Sequence, residues 1–235
     1  MGITKEKTVA EIVTENMGAD HVFSKYDIDF CCGGQATFAD ACKANNLDYK
    51  ILKKEIETIA QIISSDVNYH EMDIASLINH IQDKHHAYLD QNIPVIGQLA
   101  AKVAEVHGEN HHEVITVNNL ITGFTTNFSK QLATIQKLIY PSIKALFISE
   151  ENQSKPTTSD RFLLNNLMQK TIEVHQQEGQ LFKKIAELTN GHRPPENACN
   201  TYKLLYTKLQ EFELALHKYI HFEINILFPR VSDHQ

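Results

Sequence analysis

Residues 205–230 read LYTKLQEFELALHKYIHFEINILFPR. Leu205, Leu209, Phe212, Leu216, Tyr219, Glu223 and Leu227 recur at steps of three and four, which is the spacing of one face of an α-helix. That face has to be covered by other helices, and one of its members is a carboxylate. A lone carboxylate on a buried face costs several kcal/mol unless it is paired, protonated or bound to a metal. A shifted helix that lets Glu223 reach solvent or an arginine is the plainer alternative.

The same period appears upstream. Leu164, Met168, Thr171, His175 and Phe182 make one stripe, and Leu120, Phe124, Phe128, Gln131, Ile135 and Leu138 make another. In a third, Ile78, Ile81, Leu89 and Ile93 flank the adjacent His85 and His86, between which periodicity does not choose. Polar breaks at GEN (108–110), ISEENQSKPTTSD (148–160) and NGHRPPEN (190–197) separate the helices. From about residue 72 to 235 the chain therefore reads as a four-helix bundle. Pro94 and Pro141 are expected to kink or end the first two helices, because proline lacks a backbone donor and clashes one turn back.

Upstream of this, residues 1–63 read as a small helical domain: TVAEIVTENM, HVFSKY, a turn at DIDFCCGG, TFADACKANN and YKILKKEIETIAQII. The polar stretch SSDVNYHEMD marks the expected boundary. No stretch alternates like a strand, so the expected class is all-α.

The 235 residues carry 22 Lys and Arg against 29 Asp and Glu, a net charge of −7. Without a basic cluster there is no electrostatic footprint for nucleic acid or an anionic membrane. No apolar run is long enough to span a bilayer, and MGITKEKTVAEI lacks a signal-peptide core, so the expected compartment is the cytoplasm. Four cysteines are too few for a disulfide framework, and reduced thiols are expected.

Each bundle helix thus directs something polar toward one level of the interior. A single core histidine is ordinarily a hydrogen-bonded packing residue, but facing His and carboxylate side chains are how bundles build metal sites. His217 and His221 lie on the flank of the last stripe and read as solvated surface histidines. Cys31 and Cys32 share a glycine-rich turn before the helix TFADACK, whose N-terminus is expected to favour a thiolate. Buried structural cysteines are the alternative there. Cys42 and Cys199 read as structural.

Several stretches carry a family resemblance: KYDIDFCCGG (25–34), VHGEN (106–110), VHQQEG (174–179), RPPENAC (193–199) and EINILFPR (223–230). In this order the sequence resembles the repair-of-iron-centres family, iron–sulfur cluster repair proteins with a di-iron, hemerythrin-like bundle. The resemblance implies a homodimer formed through the N-terminal domain, damaged iron–sulfur proteins as clients, and a role in oxidative and nitrosative stress. It implies six iron ligands, of which His86, His175 and Glu223 match by position. The other three positions hold Gln131, Ile135 and Tyr219. Cys31 and Cys32 become candidates for transient transfer of iron or nitric oxide.

Four readings of the core follow. His86, His175 and Glu223 suit a single non-haem iron, with Tyr219 as an added phenolate. Alternatively the core is metal-free, with Gln131 and Tyr219 hydrogen-bonded to the surviving His and Glu in an interaction or gas- and redox-sensing protein. Nearby donors such as His217 and His221 restore a two-metal site in the third reading. The fourth makes the bundle a haem sensor.

Overall fold

The structure, a computed structural model, describes residues 2–62, 67–151 and 157–233. The expected domain end at residue 63 and the 152–156 part of the second break lie outside the described residues. The chain is all-α; among the described residues the β pairing is one isolated bridge between Thr8 and Thr37. It divides into two compact units, Met1–Ile78 with His217–Gln235, and Asn79–Leu216.

In the first unit, α1 (Val9–Glu15) starts at Thr8, whose hydroxyl accepts from the Glu11 amide while the Glu11 carboxylate accepts from the Thr8 amide. This reciprocal cap satisfies two amides that a helix start leaves open. Then follow α2 (Ala19–Lys25), α3 (Phe38–Ala44, capped by Thr37) and α4 (Tyr49–Ile62). Val13, Phe23, Phe38 and Ile56 are fully buried among them, with Phe23 edge-on to Phe38 at 5.9 Å. The residues from His217 onward belong to this unit, where Phe222 packs edge-on against Tyr69 at 4.9 Å.

The chain next forms α5 (Ile74–His80), α6 (Ala87–His107), α7 (His112–Thr134), α8 (Tyr140–Glu151), α9 (Thr158–Leu188), α10 (Asn200–His221) and α11 (Phe228–Asp233). In the second unit Phe124 and Phe128 of α7, Phe182 of α9 and Phe212 of α10 form one aromatic cluster. Phe182 stacks on Phe212 at 5.5 Å and Phe124 stands edge-on to Phe182 at 5.2 Å. Large rings at this spacing bury the apolar stripes of three helices together.

Three wide π turns, at Ile81–His86, Ile135–Ile139 and Phe222–Leu227, interrupt the α-helical runs. Each inserts extra backbone into a turn, and such insertions concentrate at functional sites. The second changes the register: Leu138, expected on the buried stripe, is 45% exposed, while Ile139 and Tyr140 are each 1% exposed. Neither Pro94 nor Pro141 ends a helix. Pro94 lies on the exposed side of α6, where the carbonyl it leaves without a donor is open to water. Pro141 follows a π turn whose Tyr140 amide bonds back to Ile135, and that widened backbone makes room for the ring. Pro229 stands in the same relation to the turn at Phe222–Leu227.

Candidate functional site

In the second unit His86 closes the first π turn and is 1% exposed, which selects it over the half-buried His85. The Gln136 amide donates to its Nδ1 (3.0 Å), leaving Nε2–H to face the Tyr140 hydroxyl at 3.4 Å. The Tyr140 ring also stacks on the imidazole, 5.5 Å between centroids. Both ring nitrogens are thus engaged by protein groups. Neither Gln136 nor Tyr140 was legible as a partner, because only the π turn brings them round to that face.

His175, fully buried in α9, is arranged differently. Its Nδ1–H donates to the Glu178 carboxylate at 2.8 Å, and the Gln131 amide lies against the same nitrogen at 3.3 Å. A carboxylate on Nδ1 fixes the tautomer whose Nε2 carries the lone pair, the arrangement that supports a metal-ligating histidine. Glu178 is 6% exposed. It was missed, although its position three residues after His175 puts it on the same helical face. Ile135 is buried at the start of its π turn and offers no donor atom.

In the first unit, Tyr219 and Glu223 are both fully buried, which removes the alternative of a helix turned to bring Glu223 to water. Between them lies His221, also 0% exposed, so its expected place on the surface is wrong. Its flanks, Ile220 and Phe222, are buried too, an apolar setting that was the available signal. The imidazole donates from Nδ1 to the Phe30 carbonyl (3.1 Å), and Nε2 lies 3.0 Å from the Thr14 hydroxyl. Burial pushes its pKa down to about 4. Asn225, one turn on, donates to the Cys31 carbonyl at 2.8 Å. The double-cysteine turn is therefore held from behind by two side chains of the C-terminal segment.

Asp29 organises the front of that turn. Its Oδ1 accepts from the amides of Cys31 (2.9 Å) and Cys32 (3.0 Å) and from the Cys31 thiol (3.2 Å). The two sulfurs are 3.8 Å apart. Cys31 is buried and Cys32 half-buried, and neither is in a disulfide. The expectation of a thiolate favoured by the neighbouring helix fails for Cys31. The hydrogen bond with Cys32, burial and the Asp29 carboxylate all push its pKa well up. Cys42 is buried as expected, whereas Cys199 is exposed and lies against His107.

Among the described residues, no three His, Cys, Asp or Glu side chains are grouped so as to hold a metal ion. No helix among them is long and apolar enough to cross a membrane.

The family model ScdA_N, described as a domain of unknown function (DUF542), matches residues 5–60. The chain is 31% identical over 230 residues to the iron–sulfur cluster repair protein ScdA of Staphylococcus haemolyticus, covering 98% of this chain and 100% of that one. A probable iron–sulfur cluster repair protein of Haemophilus influenzae is 28% identical, and the iron–sulfur cluster repair protein YtfE of Pectobacterium atrosepticum is 27% identical; each match covers 96% of both chains. The chain thus belongs, along nearly its whole length, to the family of iron–sulfur cluster repair proteins that includes ScdA.

Proposed function

We propose that this chain repairs damaged iron–sulfur clusters in the cytoplasm under oxidative or nitrosative stress, as a homodimer, with damaged iron–sulfur proteins as its clients. The likeness to ScdA over 98% of the chain carries this reading. The buried pair of His175 and Glu178, set as a ligand and its orienting carboxylate, supports it.

The donor set does not suit two irons. Ile135 has no donor atom and Gln131 supplies an amide, so neither a carboxylate bridge nor the second-helix imidazole can form at these positions. The metal-binding form of the proposal is therefore a single non-haem iron taken by His86, His175 and Glu223, with Tyr219 and Gln131 beside them and Cys31 and Cys32 handling exchange. Two histidines and one carboxylate suit iron(II) and leave positions for a small ligand.

A second reading is favoured by His86. Its two nitrogens are satisfied by Gln136 and Tyr140, as in a closed polar core. A metal-free protein that senses a gas or redox change or binds a partner would be built this way.

The experiment pairs metal analysis and a visible spectrum of freshly purified protein with reactivation of an iron–sulfur enzyme inactivated by peroxide. Reactivation with about one iron per chain, lost in Glu223→Ala and His175→Ala, supports the metal form. Reactivation without iron supports the second reading of the core. No reactivation under either condition defeats repair itself. Sedimentation of the full chain tests the homodimer.

A further inference from the structure

At the end of the second unit where α6 stops and α10 starts, a second group of reactive side chains has no part in the core described above. His107 lies 21 residues beyond His86 along α6, about 30 Å at the helical rise. Its Nε2 is 3.2 Å from the sulfur of Cys199. Cys199 is exposed and immediately precedes α10, and its carbonyl accepts the Lys203 amide at 3.0 Å. The thiol therefore stands at the N-terminus of a 22-residue helix, where peptide dipoles leave partial positive charge.

The surroundings hold the imidazole in place. The His107 ring packs on Tyr202 at 5.1 Å, and the Tyr202 hydroxyl donates to Glu113 Oε1 (3.2 Å), which also pairs with His111 Nδ1 at 3.1 Å. Glu113 also lines a cleft of about 350 Å³ with Arg193, Glu196 and Tyr206. VHGEN and RPPENAC, eighty-odd residues apart in sequence, thus contribute to one place.

We propose that Cys199 and His107 form a thiol–disulfide exchange site for small disulfides with amino-acid ends. The Cys199 proton passes to His107 Nε2 and the sulfur attacks one sulfur of R–S–S–R. The S–S bond breaks, Cys199–S–S–R forms, and the departing R–S⁻ takes the proton from His107 to leave as R–SH. A lone pair of the Cys199 sulfur makes the new S–S bond and the pair of the old S–S bond leaves on R–S⁻, so one disulfide replaces another and no further oxidant is needed. Arg193 suits the carboxylate of such a substrate, and Glu113 and Glu196 suit its ammonium group. Cys199 is the one cysteine in the sequence of residues 79–216, so this unit has no second thiol of its own to release the adduct.

The test treats the full-length protein with glutathione disulfide at neutral pH and follows the adduct on the Cys199 peptide by mass spectrometry. The expected rate is at least about tenfold above that of the same thiol in a synthetic peptide of residues 193–203, since a positioned base is worth that much or more. His107→Gln is expected to bring the rate down toward the peptide's. Arg193→Ala should slow glutathione disulfide but not cystamine, which has no carboxylate. A folded-protein rate equal to the peptide's overturns the site, as does a folded His107→Gln protein as fast as wild type. Should His107→Gln fail to fold, the comparison of wild type with peptide decides. Equal slowing of both disulfides by Arg193→Ala overturns the substrate class.

Discussion

Burial holds the His221 imidazole neutral, with a pKa of about 4 against 6.5 for the free side chain. Between those values the unfolded chain binds a proton that the folded one excludes, so stability rises with pH across that window. This contribution is fully present above pH 6.5, falls as the pH drops, and is gone below about 4. The difference is on the order of 3 kcal/mol. Urea denaturation at pH 7 and pH 4.5 should show wild type losing more stability than His221→Gln, which keeps an amide for the Phe30 carbonyl but does not titrate. Parallel losses would mean that His221 is not the group responsible. The two core histidines of the second unit differ at the same scale. His175 has a carboxylate on Nδ1 and His86 an amide, so the imidazoles are oriented by groups of opposite character.

At the scale of the element, the π turns matter most. Each contains a position that the family resemblance marks as a ligand: His86, Ile135 and Glu223. The turn at Ile135–Ile139 persists although its marked position has an aliphatic side chain, so its backbone shape does not depend on a donor there. The double-cysteine turn is as tightly specified. A Cβ on Gly34 would lie 2.5 Å from the Phe30 carbonyl oxygen and 2.8 Å from the Ala10 Cβ, both held by fixed parts of the fold. Gly34→Ala should therefore cost about 1–3 kcal/mol, by the usual penalty for overpacking. Thermal unfolding measures it, and an unchanged midpoint would show that the turn can shift.

For the whole molecule, the question is whether the scaffold still accepts the family's full ligand set. The combined substitution Gln131→His, Ile135→Glu and Tyr219→His is expected to raise iron loading to two per chain, with near-ultraviolet absorption from an oxo-bridged ferric pair. A folded triple variant without added iron would show that these are not the lost ligand positions. The aromatic cluster of Phe124, Phe128, Phe182 and Phe212 lies outside the substituted positions, so the change should leave it intact.

The helices of both units were legible because helical period, caps and breakers act within a few residues. Thr8 with Glu11, Gly108 after α6 and Asn190 after α9 stand where local rules put them. Period also placed His175, Tyr219 and Glu223 on apolar faces, and the structure then removed the alternative that brought Glu223 to water. The choice of His86 over His85, the engagement of both His86 nitrogens, the burial of His221 and the pairing of Cys199 with His107 were decided by the tertiary structure. Those facts rest on side chains 50 to 207 residues apart, or on π turns that alter the register without a local sequence mark. Periodicity reports which face of a helix is apolar; it carries no information about what covers that face.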